Sequence, residues 1–177
     1  MIVMNTISQD VGEELRFAFG ACSLGLVLVA ASAKGIAAIF MGEAEEKLRR
    51  ELAAAFSYAR LIADESGLAD KVAKVASFLD APHQNLELPL DIRGSALEQA
   101  VWQALRKIPA SQTTTYGKIA KSLPLPGTAQ DVGAACAANV LAVAIPCHRV
   151  VKANGSIAGY RWGVQRKRKL INLEAVA

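Results

Sequence analysis

Cysteine and histidine are scarce in this chain. Cys22, Cys136 and Cys147, with His83 and His148, are all it has in 177 residues. Five such residues, scattered this way, cannot form the four-cysteine or paired cysteine–histidine spacings of structural zinc, so no metal is expected. An odd, sparse cysteine count excludes a disulfide framework and fits a reduced, cytoplasmic protein. Long hydrophobic runs are missing as well. The longest candidate, 24–40, is broken by Gly25, Ser32, Lys34 and Gly35, so no bilayer-spanning helix and no membrane association are expected. The start of the chain lacks a basic stretch ahead of an apolar one, which is the pattern of a secretory signal.

What is present is a large apolar fraction, 53%, against 20% charged residues. That balance supports a buried core and argues against disorder. A chain this long buries about 70% of the surface it exposes when unfolded, so it needs no covalent staples. Its charge is divided unevenly: residues 1–90 carry 8 Lys/Arg against 12 Asp/Glu, net −4, and residues 91–177 carry 12 against 4, net +8. The basic half suits a polyanionic partner, and it suits a merely solvated basic surface equally well.

Segments 15–19, 26–31 and 36–40 alternate like short strands with tight turns between them, an antiparallel meander. Helical periodicity follows over 43–58 and 68–79. A polar stretch with a proline at 80–85 reads as a linker, dividing the chain into 1–85 and 86–177. Beyond an extended stretch at 86–92, Ser95-Ala96-Leu97-Glu98 is a capping box opening a helix that Pro109 ends. Thr113-Thr114-Thr115 then caps a short helix, Pro124 to Gly127 breaks it, and Thr128 caps a second over 129–138. This is the layout of a helix-turn-helix, although most such corners only pack. Gly133, Ala134, Ala135, Ala137 and Ala138 leave the second helix almost bare. That suits a minor groove about 6 Å wide, and it suits close packing against another helix.

Residues 141–145 read as a buried strand running into Pro146-Cys147-His148-Arg149. A thiol held behind a proline, with a histidine and cations nearby, is placed to ionise. On an extended segment Cys147 and His148 point to opposite sides, so any link between them needs a turn or a bridging water. Asn154-Gly155 marks a turn, and Gly159-Tyr160-Arg161-Trp162-Gly163 is an aromatic loop suited to lining a flat pocket. A helix over 164–174 carries the basic run Arg166-Lys167-Arg168-Lys169.

Ile145-Pro146-Cys147-His148-Arg149-Val150 resembles the active-site signature of the O6-alkylguanine-DNA alkyltransferases, the methylated-DNA–protein-cysteine methyltransferases. Residues 89–94, Val101 to Leu105, Cys136-Ala137-Ala138-Asn139 and 156–163 extend the likeness over nearly the whole chain. The resemblance implies an α/β N-terminal ribonuclease-H-like domain and a mostly α C-terminal domain with a helix-turn-helix. It implies a monomer that enters the minor groove of double-stranded DNA carrying O6-alkylguanine and flips the damaged base out. Methyl would then pass irreversibly from O6-methylguanine, and also from O4-methylthymine, to Cys147, once per molecule and without a cofactor.

The resemblance also implies roles for particular residues. Glu174, His148 and a water would form a relay to Cys147, and Asn139 would steady the turn before it. Tyr116 would crowd the 3′ phosphate and donate to the flipped base. The backbones of Cys147 and Val150 would accept from the guanine amino group, and the Arg161 N–H would face O6 beside Tyr160. Thr115, Tyr116, Gln130 and Gly133 would meet DNA.

Three departures stand out. Gln130 occupies the arginine-finger position, Asp131 replaces alanine where phosphates pass, and Gly127 replaces a frequent lysine. They leave open a damage-sensing DNA-binding protein with weak or no transfer. A thiol hydrolase would need an oxyanion site and turnover, for which the sequence offers nothing. Trp162, where some relatives have glycine, is expected to narrow the pocket. Cys22 and Cys136 read as small buried hydrophobes, His83 as exposed, and Trp102 as core.

Overall fold

The computed structural model describes residues 12–176, so the expectation drawn from the start of the chain falls outside the described residues. Strands β1 (Glu14–Cys22), β2 (Gly25–Ser32) and β3 (Gly35–Gly42) form the antiparallel meander that their alternation demands. Helix α1 (Glu45–Ala55) buries Leu48 and Leu52, and it leads into β4 (Arg60–Ala63), which joins β1 in parallel. The sheet is therefore mixed, in the order β3-β2-β1-β4. Helix α2 (Glu65–Asp80) starts where Asp64 Oδ1 accepts from Gly67 N at 2.9 Å. It buries Leu68, Val72, Val75, Phe78 and Leu79 and packs on β1.

The second half begins with α3 (Ala96–Arg106), opened by the expected capping box. Ser95 Oγ accepts from Glu98 N at 3.1 Å, and Glu98 Oε1 accepts from Ser95 N at 2.9 Å. Trp102 is core, 3% exposed, and its indole N–H donates to Ala135 O at 2.9 Å. That bond fastens α3 to α5 (Ala129–Ala138), which follows α4 (Tyr116–Ser122). Two-residue strands β5 (Thr114–Thr115) and β6 (Val150–Val151) pair in parallel. The last helix, α6 (Val164–Ala175), docks on the first hairpin, where Arg166 Nε donates to Leu24 O at 2.8 Å and the guanidinium pairs with Glu43.

The outer edge of β3 takes on two later segments. Ile36 N donates to Pro89 O at 2.9 Å and Asp91 N to Ile36 O at 2.8 Å. Further along, Ile39 N donates to Val140 O at 2.9 Å and Ala142 N to Ile39 O at 3.1 Å. Only single bridges form, at Leu90 and Leu141, so neither 86–92 nor 141–145 is the regular extended run its apolar residues suggested. Buried side chains from both halves, among them Leu15, Ile39, Val101, Leu141 and Leu170, belong to one continuous core. No helix among the described residues is long and apolar enough to cross a membrane.

Gly35 sits where the β2–β3 turn meets residue 89. Its φ is +150°, and a Cβ there would lie 2.5 Å from Pro89 O, which is backbone and cannot swing aside. Gly35→Ala is therefore expected to lower unfolding free energy by about 1–3 kcal/mol in urea titration, with the slope of the transition unchanged.

Candidate active site

Two successive three-residue turns build the platform for Cys147. In the first, Ala144 N donates to Ala142 O at 2.7 Å around Val143, whose φ of +66° is strained for a β-branched residue. In the second, Cys147 N donates to Ile145 O at 2.8 Å around Pro146, at φ −82° and ψ 60°. Proline locks φ near the value this turn needs and has no N–H to leave unpaired. Asn139, fully buried, closes the segment from within. Its Oδ1 accepts from Leu141 N at 2.8 Å, and its Nδ2 donates to Ile145 O at 3.0 Å and to Cys147 Sγ at 3.3 Å.

Cys147, His148 and Arg149 form a single 3-10 turn, which corrects the extended geometry assumed from the sequence. His148 is fully buried, and its Nε2 lies 2.7 Å from Glu174 Oε1. Glu174 also receives Arg149, with Nε at 3.0 Å from Oε2 and Nη2 at 2.7 Å from Oε1. Burial opposes ionisation of Glu174, but the His148 and Arg149 hydrogen bonds outweigh it and hold the carboxyl at about 2. An ionised carboxylate only accepts, so Nε2 of His148 carries the proton and Nδ1 keeps a free lone pair. Nδ1 is buried and has no hydrogen-bond partner among the described residues. Burial also drives the His148 pKa down and the Cys147 thiol up, while the Asn139 N–H on sulfur pulls the thiol back. The resting site thus holds a neutral imidazole and a thiol that needs a base.

Cys147 is 3% exposed and borders a cavity of about 420 Å³. Tyr116, Gly133, Cys136, Tyr160 and Arg161 line it from α4, α5 and the loop before α6. Tyr116 is pushed up to about 12 by burial and by the two cysteines. Among the other expected site residues, Val150 is fully buried in β6, and its N–H donates to Cys147 O. Thr115 caps α4, accepting from Lys118 N at 3.2 Å, and Gln130 is exposed on the first turn of α5. Cys136 is not simply core: it is a second thiol in the cavity wall. Trp162 is buried behind that wall, packed edge-on to Tyr160 with ring centroids 5.3 Å apart, and does not line the cavity. Lys167 was missed, since the run 166–169 reads as a solvated face. It is 1% exposed, on the helical face it shares with Leu170 and Glu174, and that spacing was the available signal.

Residues 96–176 match the family model described as 6-O-methylguanine DNA methyltransferase, DNA binding domain. The inducible methylated-DNA–protein-cysteine methyltransferase of Bacillus subtilis is 35% identical over 153 residues, which cover 82% of each chain. The chain belongs to the methylated-DNA–protein-cysteine methyltransferase family. The bifunctional transcriptional activator/DNA repair enzyme Ada of Escherichia coli is 45% identical over 166 residues, 93% of this chain and 47% of that protein. The regulatory protein ada of Salmonella typhimurium is 41% identical over 91% of this chain and 46% of its own length. The chain spans about half the length of these two relatives. Among solved structures, the Mycobacterium tuberculosis O6-methylguanine methyltransferase superposes with a TM-score of 0.74 at 28% identity, over 92% of this chain and 93% of that one. The same organism's OGT in complex with DNA gives 0.73 at 30% identity, with the same coverage.

Against the family pattern, Asp131 acquires a local reason. Its Oδ2 accepts from Thr128 N at 2.8 Å and Thr128 Oγ1 at 3.0 Å, completing a capping box at the start of α5. A carboxylate in the first turn also suits the positive end of the helix.

The Glu174 carboxyl carries a pH signature. It is held at about 2 in the fold against 4.5 ordinarily, so its contribution to stability is complete above pH 4.5 and is lost as pH falls to about 2. Glu174→Gln leaves the buried Arg149 without its counter-charge and is expected to cost about 3 kcal/mol at pH 7. In urea titrations across pH 4.5 to 2, the variant is expected to show a shallower decline than the wild type.

Proposed function

We propose that this chain repairs DNA directly, by moving a methyl group from O6-methylguanine, and also from O4-methylthymine, onto Cys147 in one irreversible step. The observation that carries this reading is the free, buried Nδ1 of His148, on a ring whose other nitrogen Glu174 holds, beside a buried thiol facing a cavity. The thiol proton passes through a water to Nδ1, and Glu174 stabilises the imidazolium that results. The sulfur anion attacks the methyl carbon in line. The S–C bond forms, the C–O6 bond breaks, and its electron pair goes to O6, which then takes up a proton. The product is a thioether with no group beside it able to hydrolyse it, so each molecule acts once and without a cofactor.

Residues 86–177 form the DNA-binding and active-site unit, and residues 1–85 form a ribonuclease-H-like unit. Helices α4 and α5 act as a helix-turn-helix whose bare face, around Gly133, enters the minor groove. The damaged base is extruded into the 420 Å³ cavity, a volume within the roughly 300–1,000 Å³ typical of small-molecule sites. Tyr116 and Thr115 meet the phosphate backbone, and exposed Gln130 fills the gap left in the stack. Tyr160 and the backbones of Arg161, Cys147 and Val150 hold the base. The protein works as a monomer.

Intact-protein mass spectrometry after incubation with a duplex containing O6-methylguanine is expected to show a single added methyl group on the wild type. Cys147→Ser is expected to add none. A wild type that binds the lesion preferentially yet stays unmodified would establish the damage-sensing alternative instead. Gln130→Arg restores a cation at the stack, so its duplex affinity is expected to rise, with the salt slope steeper by about one. Dealkylation of free O6-methylguanine base by the same variant is expected to stay unchanged.

A further inference from the structure

Five asparagines occur in the chain, and only Asn154 is followed by a glycine. Asn139 is fully buried with its amide engaged, whereas Asn154, Gly155 and Ser156 are all exposed in the loop between β6 and α6. Lys152 N donates to Ser156 O at 3.0 Å and Gly155 N donates to Lys152 O at 2.8 Å. The loop is thus a tight turn, with Gly155 in the left-handed region at φ +82°. The Asn154 side chain folds back over this turn. Its Oδ1 accepts from Ser156 N at 3.0 Å and from Ser156 Oγ at 2.6 Å.

Two donors on one carboxamide oxygen polarise its carbonyl, and they stand where negative charge collects when a nucleophile adds to the carbon. The nucleophile within reach is the next backbone nitrogen, Gly155 N, because bonding Oδ1 to Ser156 lays the Asn154 side-chain carbon over the peptide between them. Glycine has no side chain to block that approach, and the space beside its Cα is open. We propose that Asn154 deamidates spontaneously, with Ser156 stabilising the oxyanion, so that the chain slowly acquires a carboxylate in the loop leading to the cavity wall. Hydroxide removes the Gly155 amide proton and ends its bond to Lys152 O, which an exposed turn gives up at little cost. The nitrogen adds to Cγ, an N–C bond forms, and the negative charge passes to Oδ1. The bond from Cγ to the carboxamide nitrogen then breaks, and ammonia leaves with a proton from water, which restores the hydroxide. Water opens the resulting five-membered succinimide at either carbonyl, giving aspartate or isoaspartate. One water enters and one ammonia departs. Isoaspartate routes the main chain through Cβ, lengthening the turn that precedes Gly159, Tyr160 and Arg161 of the wall. Either product also places a negative charge in the basic half of the chain. The chemistry is independent of the proposed function and needs no DNA to be tested.

The test is peptide mapping by mass spectrometry after incubation of the full chain between pH 7 and pH 9, for the wild type, Ser156→Ala and Asn154→Gln. In the wild type Asn154 is expected to convert ahead of exposed Asn85 and of Asn172, at a rate that rises with pH. Ser156→Ala removes the hydroxyl donor and is expected to slow the conversion about fivefold. Asn154→Gln needs a larger ring to close and is expected to keep its amide. In guanidinium chloride the turn is lost, so the rates of the wild type and Ser156→Ala are expected to converge. An Asn154 that converts no faster than Asn85 and Asn172 overturns the proposal. A folded Ser156→Ala that matches the wild type, or differs from it equally in guanidinium chloride, overturns it too, since the oxyanion donor is then idle. All three positions are exposed and outside the core, so the variants are expected to fold. Failure of transfer from methylated DNA, with conversion at Asn154 intact, counts against the proposed function alone.

Discussion

Asn139 uses its whole amide inside the protein, and the active-site turn depends on it. One oxygen and one nitrogen bind Leu141, Ile145 and Cys147, so the side chain stands in for backbone pairing across eight residues that contain no regular helix or strand. A segment bent twice, with Val143 at positive φ, would not hold this shape on propensity alone. Because Asn139 ends α5 and Cys147 starts the 3-10 turn, one side chain ties the small-residue helix to the Cys147 sulfur. A shift of α5 therefore reaches the sulfur through a hydrogen bond and not through loose packing.

Arg149 provides the second fastening, at larger scale. Its guanidinium meets Glu174 of α6, Ile108 O beyond α3 and, at 3.5 Å, Pro82 O beyond α2. Three stretches of chain far apart in sequence thus converge on one planar cation, whose fixed fork suits several acceptors at once. The carboxylate that orients His148 is thereby positioned by the same residue that joins the N-terminal and C-terminal parts. The geometry around His148 and the overall packing share one side chain, so neither varies freely without the other.

Much of this was legible in the residues. Alternation marked the meander, and Ser95-Glu98 and Thr128 marked helix starts, because these signals are local. Strand β4 escaped because four residues between helices, 60–63, are too few to show a period, and its pairing with β1 is decided 46 residues away. The run 141–145 looked like a strand because five apolar residues announce burial and say nothing of backbone shape. Its turns arise from Asn139 and Pro146 acting together. Cys147 and His148 were recognisable through their resemblance to a family, whereas the 3-10 turn joining them depends on a ψ value at Pro146 that composition does not encode. Asp131 looked like a misplaced charge until its bonds to Thr128 appeared, and Lys167 was hidden by basic neighbours that face solvent.

The two bridges along β3 bear on how the molecule keeps to itself. A strand at the rim of a sheet displays unpaired N–H and C=O groups, an invitation to any extended chain from outside. Here Ile36 and Ile39 have already spent theirs on residues 89–91 and 140–142. At the other rim, β4 is four residues long and begins with exposed Arg60. Among the described residues, the β3 rim is thus closed at Ile36 and Ile39 and the β4 rim is short, which disfavours edge-to-edge pairing with another chain.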